Sequence, residues 1–147
     1  MSTRIVTTLS LVFGLTLACG GASPPAQTAA SATPTFADQV ERGGTLFGQH
    51  CASCHGASGE GGRGPRLVGL AEGALPLMPR EGSVRTHEFR TVGDVAAFAV
   101  VNMPQNAPGS LPEADYWAIL AFDLHANGID LQQPLDGTVA ATLTIPR

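Results

Sequence analysis

Residues 50–56 read His-Cys-Ala-Ser-Cys-His-Gly. Two thiols three positions apart, with an imidazole directly behind the second, place two sulfurs and a metal-binding nitrogen on one short segment. Reversible dithiol exchange, zinc binding and covalent haem attachment all use sulfurs at this spacing, and an exported chain can also close a structural disulfide. A thioredoxin-like dithiol wants a βαβ setting, and no strand-rich region lies nearby. Zinc wants a second ligand pair, whereas His50, His87 and His125 are unpaired singles. Cys51-Ala52-Ser53-Cys54-His55 is instead the c-type haem attachment pattern. Two thiols add across the two vinyl groups of one haem edge, and the following histidine falls under the iron as an axial ligand.

Iron held by His55 needs either a second axial ligand or a vacancy. Beyond the initiator Met1, the chain offers Met78, in Leu77-Met78-Pro79, and Met103, in Asn102-Met103-Pro104. Both precede proline, so the dipeptide alone leaves the choice open.

The elements that must position these groups are helical. Phe36, Val40, Gly43 or Gly44, Phe47 and Cys51 recur every three to four residues, which predicts a helix over 36–55. Gly56 to Pro65 is glycine-rich loop, and 66–90, with Pro76 and Pro79, reads as mostly loop with room for a short helix. Thr91 and Asp94 are spaced as a capping box for a helix that Met103-Pro104 ends. Ser110 and Glu113 are spaced as a second box, with Pro112 in the first turn and Gly128 as the stop, predicting a helix over 110–127. The tail, with Val139, Leu143 and Ile145 among threonines, reads as extended. It either packs along its own domain or offers a docking segment.

Over about residues 36–128 the chain resembles a single-haem class I cytochrome c. Gly43 and Phe47 precede the haem motif at the positions that, in that family, pack the first helix against the last; here Tyr116, Trp117, Leu120 and Leu124 are on offer for the crossing. Gly64-Pro65-Arg66-Leu67 resembles the loop whose proline carbonyl accepts a hydrogen bond from the haem-ligating histidine, which implies that Pro65 orients His55. The family carries its distal ligand after a helix and shortly before the final one, which selects Met103. The resemblance implies an all-α small cytochrome c fold: three to five helices around one haem c bound through Cys51 and Cys54, with an extended C-terminal tail. The stretch 91–131 is also similar to the cytochrome domains that accompany periplasmic dehydrogenases and oxidases.

Composition agrees. The 147 residues are 44% hydrophobic but only 5% aromatic, so a bound apolar plate would supply core that the side chains lack. All eight basic residues are arginines, the formal charge is −4, and no basic patch marks a nucleic-acid partner. Residues 1–18 read as an export signal: a basic start at Arg4, then an apolar run too short to span a bilayer. Cys19 directly follows, as in a lipoprotein signal whose cysteine becomes the acylated anchor, although Thr16 stands where that pattern prefers leucine. An ordinary cleaved signal with an incidental cysteine is the other reading. Residues 19–35 form an Ala/Ser/Thr/Pro linker, 36–128 the cytochrome domain and 129–147 a C-terminal extension.

A His/Met site fills both axial positions and raises the potential relative to two imidazoles. The expectation is therefore a periplasmic, membrane-anchored one-electron carrier and not an enzyme, with redox partners such as a dehydrogenase, an oxidase or another cytochrome. The alternative is a haem enzyme or sensor, with peroxidase or gas-binding chemistry at an open distal position.

Overall fold

A computed structural model describes residues 33–146. The expected signal, the anchor candidate Cys19 and most of the linker lie outside the described residues.

Five α-helices run in the order α1 Phe36–His50, α2 Ala52–His55, α3 Val92–Asn102, α4 Glu113–Ala126 and α5 Gly137–Thr142, with a 3-10 turn at Leu70–Glu72. The described residues contain no strand, only an isolated antiparallel bridge between Thr91 and Thr144. An all-α fold is what the resemblance to class I cytochromes c implies.

Helix α1 starts where Thr35 closes a capping box. The Asp38 N–H donates to the Thr35 hydroxyl, while the Asp38 carboxylate accepts from the Thr35 N–H at 2.8 Å. The helix expected to reach His55 stops at His50. Cys51, at φ −117° and ψ −39°, is the C-cap of α1, and the single turn α2 carries the second cysteine and His55. Thr91 and Asp94 form the expected box at the start of α3, and Met103, in extended conformation before Pro104, ends it. The Ser110–Glu113 box does not form: Pro112 is the N-cap of α4, leaving Ser110 two positions outside the helix. At the other end Gly128, at φ +76°, ends the helix as expected.

Helices α1 and α4 cross at Gly43. A methyl group there would lie 1.9 Å from the Ala118 carbonyl oxygen and 3.0 Å from Phe122 Cβ, so only hydrogen fits. One turn on, Phe47, 1% exposed, stacks tilted on Phe122 with ring centroids 5.2 Å apart. The crossing thus uses Ala118 and Phe122. Of the residues offered for it from the sequence, Leu120 and Leu124 belong to the core cluster that also contains Phe36 of α1, Tyr116 reaches Met103, and Trp117 donates to Glu113. Arg42 Nε on α1 also donates to the buried Asp115 carboxylate on α4 at 3.0 Å.

The tail folds back on the domain and is not extended throughout. Asp136 caps α5 by accepting from the Thr138 and Val139 N–H groups, and α5 lies so close to α3 that a methyl on Gly93 would meet Ala141 Cα at 3.2 Å. Gln39 pairs by both ends of its amide with the backbone of the fully buried Leu135, and Ile145 donates to the Arg90 carbonyl.

Gly43→Ala should destabilise the domain by about 2–3 kcal/mol, as an overpacked contact does. Gly48→Ala, at an α1 position with nothing within 4 Å, should gain about 0.5–1 kcal/mol from reduced backbone entropy. Denaturant unfolding of the two variants checks the contrast, and equal effects would show that the crossing does not limit helix approach.

Candidate haem site

Helices α1 and α2 and the loop after them deliver Cys51, Cys54 and His55 to one wall of a cavity of about 570 Å³, within the range of cofactor-sized sites, roughly 300–1,000 Å³. Leu70 and Phe89 from the long loop, Phe98 from α3, and Ile119 and Leu120 from α4 give it a largely apolar lining.

The glycine-rich loop wraps the imidazole. Gly61 donates to the His55 carbonyl and Gly64 to the Cys54 carbonyl. A methyl on Gly64 would sit 2.7 Å from His55 Cε1, so the loop passes flat along the ring only because residue 64 has no side chain. His55 Nδ1 lies 2.8 Å from the Pro65 carbonyl oxygen. A carbonyl only accepts, so Nδ1 carries the proton, which leaves the Nε2 lone pair free for a metal.

Both cysteines are free and half-buried. Burial first, then the charge of Asp123, then Cys54 push the Cys51 thiol up to about 12, which keeps it protonated at neutral pH. Arg63 on the loop donates to the Ser53 carbonyl and lies 3.5 Å from Cys54 Sγ.

The structure separates the two methionines. Met103 lines the cavity, and its carbonyl accepts a 2.6 Å hydrogen bond from the Tyr116 hydroxyl, which ties the end of α3 to α4. Met78 is 63% exposed and does not line the cavity. His50 reaches the cavity wall, whereas His87 does not line it, and His125 Nδ1 meets Asp130 on the surface at 2.6 Å. The donor set on the cavity (two thiols, one imidazole with a free Nε2 and one thioether) suits covalent haem with two axial ligands.

Three further residues shape the site without a sequence signal. The Asn127 side chain joins the loop to the end of α4. Its Oδ1 accepts from the Gly69 and Leu70 N–H groups, and its Nδ2 donates to the Leu67 and Asp123 carbonyls. The buried Arg85 donates to the carbonyls of Pro76, Leu77, Met78 and His87, and its guanidinium lies 3.9 Å above the Phe89 ring. Four carbonyl acceptors hold the long loop around one cation. Asp123, on α4, faces the cavity with an Oδ1 closed to solvent and without a hydrogen-bond partner. Asn127 is recognisable in the sequence only as a helix end, and no periodicity marks the other two.

The family model of cytochrome c oxidase, cbb3-type, subunit III matches residues 38–122. No curated protein matches the sequence at a significant level. Among solved structures, the sulfane dehydrogenase SoxCD from Paracoccus pantotrophus contains a chain 24% identical to this one, with a TM-score of 0.54 over 89% of this chain and 69% of that one. At that identity the likeness is one of fold.

Gly64→Ala should leave haem attached but push the His55 ring out of line. The expected outcome is an altered ferric spectrum and a haem environment that is lost at lower denaturant concentration than in the wild type. An unchanged spectrum would show that the loop yields without disturbing the ring.

Proposed function

Because the chain belongs to the family of cytochrome c oxidase, cbb3-type, subunit III, as a class I c-type cytochrome domain carrying one haem c on Cys51 and Cys54, we propose that it is an exported one-electron carrier serving a dehydrogenase or another respiratory donor. The bound haem supplies a couple between ferric and ferrous iron. His55, oriented by Pro65, and Met103 are the residues that would hold its iron. The observation that carries this reading is that Met103 lines the same cavity as the cysteine pair and His55. Two protein ligands leave no position for substrate, so the residues hold the iron, exclude water and permit electron exchange alone.

The dehydrogenase assignment draws on the fold shared with the SoxCD chain and on the similarity of residues 91–131 to cytochrome domains of such systems. The apolar run before Cys19 supports export to the periplasmic side and a lipid anchor there.

Cys51→Ala with Cys54→Ala should abolish haem staining on denaturing gels, and retained stain would refute the attachment site. Met103→Ala should keep covalent haem, lower the midpoint potential and let carbon monoxide bind the ferrous form. Ready carbon monoxide binding by the wild type would instead favour a gas-binding or peroxidase role. Cys19→Ser should move the protein from the membrane pellet to the soluble fraction of the exporting cell; continued sedimentation with membranes would refute the lipid anchor.

A further inference from the structure

Asp123 is the acid that the cavity does not explain. It sits on α4 between Phe122, which packs on Phe47, and Leu124, which joins the core. The residue as a whole is half-buried, yet its Oδ1 is closed to solvent and meets no donor. Its own backbone carbonyl accepts from Asn127 Nδ2, which fixes the helix end that carries it. Burial without a partner pushes its carboxyl up to about 7, and an apolar plate filling the cavity removes still more water from around it. A buried, unpartnered carboxyl facing a redox centre feels the charge of that centre more strongly than a solvated one does.

We propose that Asp123 is a proton-carrying site coupled to electron transfer. It takes one proton from water when the electron arrives and returns it when the electron leaves. This rests on the one-electron carrier reading above. The balance is simple. A one-electron donor protein supplies the electron that turns ferric iron ferrous, and solvent supplies the proton that turns the Asp123 carboxylate into the acid; reoxidation by the acceptor reverses both. The sign follows from charge. Ferric haem carries one positive charge more than ferrous haem, so it favours the carboxylate, and reduction raises the affinity of Asp123 for a proton. The midpoint potential therefore falls as pH rises through the window between the two affinities, and is level on either side.

Other titratable or charged groups face the same cavity. From α1, its C-cap and α2 come His50, Cys51, Cys54 and His55; from the loops Arg63, Arg80 and Arg85; from α4 Tyr116. Thioether formation removes the two thiols, iron binding occupies His55, the arginines stay charged and a phenol ordinarily titrates well above neutral pH. His50 and the haem's own propionates are the groups that the test must separate from Asp123.

The test is a spectroelectrochemical titration of the haem-loaded protein between pH 5 and about 9, within the range where carboxyl and imidazole groups shifted toward neutral titrate. The wild-type potential should fall with pH around neutrality, approaching one proton per electron at its steepest. Asp123→Asn should be level there and should match the wild type at the acid end, while His50→Gln should keep the slope. A wild-type potential independent of pH, a slope that survives Asp123→Asn, or one lost in His50→Gln would each overturn the proposal. Should Asp123→Asn fail to retain haem, redox-difference infrared spectra of the wild type decide. A protonated-carboxyl band that grows on reduction and shifts both in heavy water and on 13C-labelling of aspartate, which distinguishes it from the haem propionates, supports the proton site, and its absence overturns it. A reversible one-electron couple that ignores pH would leave the carrier reading intact, whereas an open, carbon monoxide-binding iron would fail that reading itself.

Discussion

Where Gly43 on α1 meets Ala118 on α4, there is no room even for a methyl group. That closeness sets the position of everything downstream. Phe47 reaches Phe122 only because the backbones approach at Gly43, and Cys51, four residues on, is then held at a fixed distance from α4. The attachment motif cannot drift relative to the helix that forms the opposite wall of its cavity. A cofactor joined through two bonds to one short segment depends on such a reference surface, because covalent attachment fixes one edge of the ring and packing must fix the rest.

Two further ties keep the wall in register. Arg42 and Asp115 pair across the same helix crossing, and the Tyr116 hydroxyl holds the Met103 carbonyl. The second tie matters more for chemistry, since it joins the end of α3 to α4 at the residue whose sulfur is wanted in the cavity. Leu135 and Ile145 in the tail enter the core cluster that also contains Phe89 and Val92. The C-terminal segment therefore covers the base of α3, and the sequence alone could not decide between packing and docking for it because Val139, Leu143 and Ile145 suit either.

What could be read in advance follows a physical pattern. The haem motif is legible because covalent chemistry dictates its spacing, and the α3 capping box is legible because it is made by neighbours in sequence. Met103 could be preferred over Met78 from its place between two helices, a matter of chain order. Helix α5 is not legible in the sequence although Asp136 stands ready as its cap, since threonines and β-branched residues weigh toward extended structure until Ala140 finds α3 to pack on. The Ser110 box does not form because the helix starts two residues later, with Pro112 as its N-cap. Asn127 and Asp123 carry no signal in the sequence because their neighbours lie far along the chain, as when Asn127 reaches Gly69 across 58 positions. Arg85 bonds carbonyls only two to nine positions away, but an irregular loop has no periodicity to mark it.

Asn127 has a mechanical consequence. One amide secures Leu67, Gly69 and Leu70 to the last turn of α4, just beyond the loop whose Pro65 carbonyl holds the His55 ring. The loop is pinned close to the point where the iron's charge would change. The rate of an electron hop depends on how far the surroundings must rearrange to accommodate the new charge, and a loop fastened on both sides has little travel available. In this fold the Asn127 amide joins the backbone bonds of Leu67 and Val68 to Gly59 in limiting that nuclear rearrangement, so exchange is favoured by what is prevented from moving.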